Sequence, residues 1–486
     1  MNRDLPPEES STLKDIIANL RRVPEPLVPE VMPDPFVLRL TAKSPGGART
    51  AGLWLLATTN DQPFAFRLYR FVDGSWVPHM VDGKHCAIFP EGKLPAWWNA
   101  GEPDPLSPQL PRDLVVARWA PEIDVRNGRL TLHYTARDRA GILRAAYATA
   151  SAIDGEWKDH GFLDINVRAK DLVPDYPGGP VGDNPFIGMI DGHAAAVIDS
   201  DGRERTFLLT KVDGNGFQWK DPVTYEARRA STPILSHEFR QDADGRIELL
   251  GPAKVLFTNG PHHDGLVEGQ FVVHDNGQSY IVYSAGFFGN SEYRTYIAKV
   301  DLLSNRVEGE RLLIDSQSPA LGGEWNGPGH PSFVRVGDGL YAMYLHVWRN
   351  GTYYGKDGDQ RKAIQRHVSF RDLEGRPCEP FVVEGRFTGQ REHRHEEPAR
   401  PGGAAGSIPA ASIPRSPAIL TGCWVFLCPR FLHVPPVCPS GVSSPERRAA
   451  GGWDDPTPAP RSPAPRATGA RTSWSSRWWR DPSTPE

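Results

Sequence analysis

The segment VEGQFVVHDNGQSYIVYSAG, residues 267–286, contains two strand-like runs joined by a tight turn. Apolar Val, Ile and Tyr residues alternate with polar ones in both runs, which is the period of a β-strand with one buried face. Asn276-Gly277 lies between the runs and is a residue pair favoured in hairpin turns. One carboxylate, Glu268, directly precedes the first run. The segment therefore predicts a β-hairpin with an acidic side chain at its start.

Comparable runs recur through residues 31–388, separated by turn sequences such as RNGR, DSDGR and VGDG. The strand groups restart near residues 34, 117, 190, 266 and 329, and each group opens on a polar or acidic stretch. Five restarting groups predict an all-β domain built as a five-bladed β-propeller with about four short strands per blade. A β-sandwich is the competing all-β arrangement, but it does not require evenly restarting groups.

The two ends of the chain differ in composition from this region. Residues 1–30 are polar and Pro-rich, and we expect a mobile leader with one short amphipathic helix near Leu13 to Arg22. Residues 389–486 are low-complexity and rich in Pro, Arg, Ala and Ser, which predicts a disordered tail. The apolar stretch at 418–427 is too short to span a bilayer.

Charge and cysteine usage exclude several classes of function. The net charge is −4, from 55 basic and 59 acidic residues, so we expect neither a nucleic-acid nor a membrane partner. Five scattered cysteines give no disulfide framework and no zinc-site spacing. The first residues contain no apolar run of the kind found in secretion signals, so the cellular compartment stays open. We expect a monomer.

The openings of the five strand groups carry the candidate functional residues. In a propeller the innermost strands converge on one axis, so polar residues at their starts meet in a single funnel. The openings are MPDPFVL (32–38), RWAPEIDV (118–125), GMIDGHAAAVI (188–198), VEGQFVV (267–273) and GPGHPSFV (327–334). They supply Asp34, Asp191 and Glu268 as candidate acids. Asp199 and Asp201 belong to a DSDG turn sequence and are interpreted as solvated turn residues.

Taken in order, these openings resemble the motifs of glycoside hydrolase family 43, five-bladed propeller enzymes that act on arabinose- and xylose-containing glycans. PDPF is similar to the family's opening Asp-Pro motif, WAPE to its Trp-Ala-Pro-Glu strand and GHPS to its Gly-His-Xaa-Ser motif. The segments beginning IDG and EGQ resemble its Ile-Asp-Pro and Glu-Gly-Pro segments, except that Gly192 and Gln270 stand where the family has proline.

The resemblance implies an inverting glycosidase whose substrate is an oligo- or polysaccharide. Inversion requires a carboxylate that activates water and a carboxylic acid that protonates the leaving oxygen. By resemblance, Asp34 is the general base and Glu268 the general acid. Asp191 would orient Glu268 and raise its pKa, because a nearby negative charge disfavours ionisation of a second group.

The resemblance also implies roles for residues outside the acidic set. Trp119 is interpreted either as a sugar platform or as a core residue, and Glu122 as a partner of site residues without a catalytic role. Arg361 matches a pocket arginine, with Arg366 as its rival. His330 either contacts a structural calcium or sodium ion on the propeller axis or is a buried histidine without metal. No cofactor is expected for the chemistry.

Two alternative functions stay open at this level. A non-catalytic propeller that binds glycans would not need all three acids. A propeller of a related family acting on fructosides by a retaining, covalent route would need its two carboxyl groups about 5–5.5 Å apart. That family's usual motif, with Asn before the Asp, is not found in VMPDPF (31–36).

Overall fold

The computed structural model describes residues 11–60, 62–99, 116–165, 188–213, 218–220, 227–229 and 232–384. The first ten residues of the expected leader and the whole of the expected tail, 389–486, lie outside the described residues. Two α-helices are described, at Leu13–Asn19 and Tyr354–Asp357. Three short 3-10 helices lie at Gly47–Thr50, Pro261–His263 and Pro319–Leu321. Within these ranges no helix is long and apolar enough to cross a membrane.

Five antiparallel sheets, called blades 1 to 5 in chain order, make up most of the described chain. Blade 1 contains Phe36–Leu40, Gly52–Leu56, Tyr69–Val72 and Ser75–Pro78. Blade 2 contains Arg118–Arg126, Arg129–Arg137, Leu143–Ala150 and Lys158–Phe162. Blade 3 contains Gly188–Ile198, Glu204–Asp213, Ile234–Gln241, Ile247–Leu249 and Lys254–Phe257. Blade 4 contains Val267–Asp275, Gln278–Ala285, Arg294–Asp301 and Arg306–Ile314, and blade 5 contains Trp325–Gly337, Leu340–Arg349, Lys362–Arg371 and Pro377–Val382.

Three further two-stranded sheets accompany the blades. They pair Ala65–Arg67 with Ala87–Phe89, Met80–Val81 with Lys84–His85, and Gln218–Lys220 with Ala227–Arg229. Ala65–Arg67 lies between the second and third strands of blade 1, and its partner Ala87–Phe89 lies in the connection from blade 1 to blade 2. The second sheet lies wholly in that connection, and the third lies inside blade 3. The long connections of the propeller therefore carry local structure of their own.

The blades are arranged around a closed ring. In blades 1, 2, 4 and 5, strands that follow one another in the chain are hydrogen-bonded neighbours. Blade 3 differs only in its last strand, because Lys254–Phe257 pairs with Ile234–Gln241 and not with Ile247–Leu249. The first strand of every blade contacts the first strand of the next, and the first strand of blade 5 contacts that of blade 1. This is the predicted all-β, five-bladed propeller, and the five predicted strand groups coincide with its five blades.

Apolar side chains that alternate along the strands pack between neighbouring blades. Trp54 of blade 1 and Tyr134 of blade 2 are fully buried in one such cluster, and Val282 of blade 4 and Met343 of blade 5 in another. Full burial of an aliphatic or aromatic side chain of this size contributes about 1.5–3 kcal/mol. Packing of this kind fixes each blade relative to its neighbour and so fixes the starts of the first strands.

A residue with positive φ lies near the start of the first strand of every blade. In blades 2 to 5 a β-bulge shifts the register between the first and second strands. One residue at each of these places, and one ahead of the first strand of blade 1, has positive φ. These five pivot residues are Asp34, Ala120, Asp191, Gly269 and His330. Non-glycine residues rarely adopt this conformation, and the surrounding structure must hold it in place.

Residues 11–30 differ from the expected mobile leader. Thr12 caps the helix Leu13–Asn19 in a capping box with Asp15, which agrees with the predicted short helix. The Trp325 indole donates to the Pro24 carbonyl at 2.9 Å, and Val28 is 4% exposed in a cluster with blades 1 and 5. Sparse apolar residues thus attach this segment to the propeller, although its overall composition is polar.

Candidate active site

Three carboxylates come from three different blades. Asp34 and Asp191 are the pivot residues of blades 1 and 3, and Glu268 directly precedes Gly269, the pivot of blade 4. All three side chains are largely buried. His330, the pivot of blade 5, lies among them, because its Nδ1 is 3.4 Å from Asp34 Oδ1 and a Cβ added to Gly269 would lie 2.9 Å from that nitrogen. The fold therefore gathers residues that are up to about 300 positions apart in the chain.

Asp34 is surrounded by donors and positive charge. The Arg361 guanidinium donates to Oδ1 at 3.1 Å, and the Thr58 hydroxyl donates to Oδ2 at 2.6 Å. Burial raises the pKa of this carboxyl, but the positive charges of Arg361 and His330 outweigh that effect. The pKa is therefore well below its usual range. Asp34 is therefore ionised at neutral pH and held in one orientation.

Glu268 is bound by two buried side chains. Lys211 Nζ donates to Oε2 at 3.0 Å, and the Tyr293 hydroxyl donates to Oε1 at 2.9 Å. Burial raises the Glu268 pKa, whereas Lys211 and the two hydrogen bonds lower it, and the net direction is downward. The largest lowering cause is the Lys211 ammonium, and the expected upward effect of Asp191 on the Glu268 pKa stays a prediction.

Asp191 shows the opposite direction. Burial and the neighbouring Glu268 carboxylate raise its pKa to about 6, against a lowering contribution from His330. Its Oδ2 accepts a hydrogen bond from the Gly269 amide at 2.9 Å, and its own amide donates to the Thr135 hydroxyl at 3.1 Å. The pKa shifts of the two acids therefore have opposite directions, upward for Asp191 and downward for Glu268.

A stacked ring pair connects the two ends of the site. The Tyr293 and His346 rings are parallel within 6° with centroids 5.4 Å apart. The Tyr293 hydroxyl binds Glu268, and His346 Nδ1 accepts the Asp34 amide at 3.2 Å. Burial lowers the pKa of His346 to about 4, so the ring is neutral, as an accepting Nδ1 requires. The side chain that binds Glu268 therefore packs directly on the side chain that binds the Asp34 amide.

Side chains in the second strands, or just after the second strand in blade 1, hold the pivots of the following blades in a repeated way. The amides of Ala120, Asp191 and His330 donate to Thr58, Thr135 and Ser284 of the preceding blade, and that of Asp34 donates to His346. Blade 3 departs from this pattern because Lys211, its residue at this place, has no acceptor atom. The sequence reasoning missed Lys211, although LLTKV beside LHYTA and IVYSA shows a lysine where the other segments have a hydroxyl residue.

The structure distinguishes the two candidate arginines. Arg361 contacts Asp34 and also binds Asp359 through Nη2 at 2.8 Å. Arg366 instead donates to backbone carbonyls, including that of Ala320. Arg361 therefore belongs with the carboxylates, and Arg366 fastens blade 5 to the segments beside it.

Trp119 and Glu122 take different positions on the first strand of blade 2. Trp119 is opposite Thr135, as Glu268 is opposite Ser284 in blade 4, and one part of its half-buried ring packs on Leu143 and Ile190. Glu122 Oε2 accepts from His193 Nδ1 at 2.6 Å, and His193 Nε2 accepts the Val272 amide at 2.9 Å. Glu122 thus fastens three neighbouring blades together.

The two departures from the motif lie directly after pivot residues. Pro35, Pro121 and Pro331 follow the pivots of blades 1, 2 and 5, whereas Gly192 and Gln270 follow those of blades 3 and 4. The buried Gln270 side chain donates through Nε2 to the Asp191 carbonyl. This substitution therefore adds a contact between the blades that carry Asp191 and Glu268.

The expected metal contact of His330 stays a prediction. Within the described residues, the atoms that could ligate one ion together belong to His262, His263 and Glu310. The Gly260 amide donates to His263 Nδ1 at 2.8 Å, so neutral His263 carries its proton on Nε2, which faces Glu310 at 3.2 Å. A protonated nitrogen offers no lone pair, and this group fits a hydrogen-bonded network better than a metal site.

Several solved protein structures are similar to this chain. The chain is similar to a solved thermostable family-43 glycoside hydrolase at 18% identity and a TM-score of 0.49, covering 74% of this chain and 95% of that one. It is similar to an α-L-arabinofuranosidase from Lactobacillus brevis at 16% identity and a TM-score of 0.47, covering 75% and 98%. It is also similar to a xylan β-1,4-xylosidase from Bacillus halodurans C-125 at 17% identity and a TM-score of 0.47, covering 74% of this chain and 56% of that one.

Sequence-level comparisons give no match. No protein-family model matches the chain, and no curated protein matches it.

Proposed function

We propose that the protein is an inverting glycoside hydrolase of the family-43 type that cleaves O-glycosidic bonds in arabinose- or xylose-containing glycans. The observation that carries the proposal is the meeting of Asp34, Asp191 and Glu268 around His330. Each acid stands at the position where its motif resembles that of the family. Burying three carboxylates close together lowers the stability of the fold. A purely structural role would not require such an arrangement, whereas an active site does.

Asp34 has the properties of the general base. Arg361 and Thr58 each bind one of its oxygens, so the carboxylate is ionised and fixed in direction. In the proposed step it takes a proton from water while the water oxygen bonds to the anomeric carbon. Attack on the face opposite the leaving group inverts the configuration at that carbon.

Glu268 is the proposed general acid, and Asp191 is the acid that supplies its proton. Glu268 gives a proton to the glycosidic oxygen as the bond to the anomeric carbon breaks, and its own carboxylate is left. Tyr293 holds Glu268 in direction. Because Asp191 retains a proton to about pH 6, the pair of acids can enter the reaction with one proton between them.

The substrate class rests on the motif resemblance, together with two side chains beside the acids. Trp119 offers a half-buried aromatic surface at the strand position that Glu268 has in blade 4. Such surfaces stack on sugar rings. Arg361 adds fixed donors beside the general base.

A panel of aryl glycosides and of arabinan, arabinoxylan and xylan oligomers tests the proposal, with NMR identifying the anomer of the first product. We expect hydrolysis of an arabinofuranoside or xyloside with inversion. Asp34→Asn and Glu268→Gln should each lower kcat/KM by roughly 10²–10⁴-fold. Asp199→Asn is the matched control, since Asp199 lies in a surface turn, where it accepts two backbone amides and pairs with Arg205 at 3.7 Å, and its replacement should leave the rate unchanged.

Other results would support the alternatives. Release of the retained anomer from a fructoside would indicate the covalent, retaining route. Glycan binding without hydrolysis, unchanged by either acid variant, would indicate a binding module. Full activity in both acid variants would refute the proposed roles.

A further inference from the structure

One buried lysine breaks the regular contacts between the blades. Lys211 Nζ is 3.0 Å from Glu268 Oε2, and its side chain is fully buried. At this place Thr135 and Ser284 of the second strands of blades 2 and 4, and Thr58 just after the second strand of blade 1, accept an amide from the next blade through their hydroxyls. A lysine ammonium has donors only. Blade 3 therefore presents a positive charge where its neighbours present an acceptor.

The missing acceptor has a visible consequence. The amide of Gly269, the pivot of blade 4, donates to Asp191 Oδ2 at 2.9 Å instead of to a second-strand hydroxyl. The same lysine thus acts on both acids. Lys211 binds Glu268 directly. Because Lys211 offers no acceptor, the Gly269 amide donates to Asp191.

We propose that Lys211 is a positioning residue that keeps Glu268 ionised in the free protein and thereby assigns the shared proton of the acid pair to Asp191. The inference deepens the proposed function, on which its catalytic consequence rests. The opposite pKa directions of the two acids agree with it.

The groups that face Glu268 come from every neighbouring blade element. Lys211 faces it from the second strand of blade 3, Tyr293 from the start of the third strand of blade 4, and His330 from blade 5. Asp191 acts from the first strand of blade 3, and Asp213 lies 3.9 Å from Lys211 Nζ. Lys211 lowers the Glu268 pKa more than the other groups do, so its removal should change that pKa most.

The pH dependence of kcat/KM provides the first test. Glu268 must be protonated to act as the acid, and without Lys211 its pKa rises. The alkaline limb of Lys211→Met and of Lys211→Thr should therefore move to higher pH by about one unit or more, the size expected for an opposite charge at this distance. Lys211→Arg keeps the charge and should keep the limb near its wild-type position. Coincident limbs in the wild type and both neutral variants would overturn the inference.

A second test does not depend on activity. Urea unfolding of the full chain is compared for wild type, Lys211→Met, Glu268→Gln and the double variant at pH 7 and pH 5. We expect Lys211→Met to lower the unfolding midpoint at pH 7 and less at pH 5, because the unpaired, buried Glu268 then takes up a proton. Adding Glu268→Gln should recover part of the loss at pH 7. Strictly additive losses at both pH values would contradict the coupling.

The two tests separate the inference from the proposed function. Absence of hydrolysis on every glycoside, with the coupling present in unfolding, would refute the proposed function and retain the Lys211–Glu268 pair. Hydrolysis with additive unfolding losses and an unmoved alkaline limb would retain the proposed function and refute the role of Lys211.

Discussion

The junction of blades 5 and 1 and the junction of blades 3 and 4 hold their carboxylates in different ways. At the first, Asp34 has a guanidinium, a hydroxyl and a neutral histidine around it, and it is ionised. At the second, Asp191 and Glu268 share one region with a single ammonium, Lys211. The first junction therefore holds an ionised carboxylate, and the second is where we propose that two acids share one proton.

The difference follows from the number of charges that each junction must balance. Arg361 is shared between Asp34 and Asp359, which suits two ionised carboxylates with strong donors. Lys211 cannot neutralise Asp191 and Glu268 together, so ionisation of both at once is unfavourable. In the proposed reaction, the base and the acid would therefore come from one repeated backbone geometry.

The largest effect should come from removing the cation of the first junction. Arg361→Met leaves Asp34 and Asp359 buried without their guanidinium, so we expect a loss of about 3–5 kcal/mol in the free energy of unfolding at pH 7. The pKa of Asp34 rises, which moves the acid limb of kcat/KM to higher pH. Urea unfolding and a pH–rate profile measure the two effects.

Arg366→Met is the control for this variant. Arg366 is equally buried but donates to backbone carbonyls, so its replacement should cost stability and leave the acid limb in place. An unmoved acid limb in Arg361→Met would show that the guanidinium does not set the charge of Asp34.

A smaller effect should come from the contact between the two junctions. Gly269 has φ 59°, and an added Cβ would lie 2.9 Å from His330 Nδ1. Gly269→Ala should lose about 1–2 kcal/mol through its left-handed backbone, plus the cost of displacing the His330 ring. Gly277→Ala is the control, because Gly277 has φ 77° and no atom near its added Cβ. Equal losses in urea unfolding would mean that the His330 contact adds nothing.

The smallest effect should appear as a pH slope at the second junction. The folded pKa of Asp191, about 6, lies above its ordinary value of 3.8, so its contribution to stability is complete below that value and is lost as pH rises through about 6. The slope cannot exceed about 1.4 kcal/mol per pH unit, the value for a difference of one bound proton between the folded and unfolded states. Asp191→Asn should remove this slope in unfolding measured from pH 4 to pH 7.

Asp199→Asn again serves as the control. The pKa of Asp199 is lowered by the Arg203 amide, so it titrates below this range and should leave the slope unchanged. A wild-type slope retained in Asp191→Asn would assign the titration to another group.

Much of the fold was predictable from the sequence because its signals are local. Alternating runs such as residues 279–286 and turns such as Asn276-Gly277 specify hairpins through neighbouring residues alone. The order of the strand openings also indicated which acids to consider. The segment at 11–30 was harder, because its attachment depends on a few apolar contacts such as that of Trp325 with Pro24.

The order of residues along the chain was enough to predict the five-bladed architecture and the candidate acids Asp34, Asp191 and Glu268. The charges and donors around these acids depend on contacts that form only in the folded protein. The distance from Lys211 to Glu268, the choice of Arg361 over Arg366 and the stack of Tyr293 on His346 join residues from different blades. The pKa of a buried group depends on charges within a few ångströms in space, and chain order does not specify those neighbours.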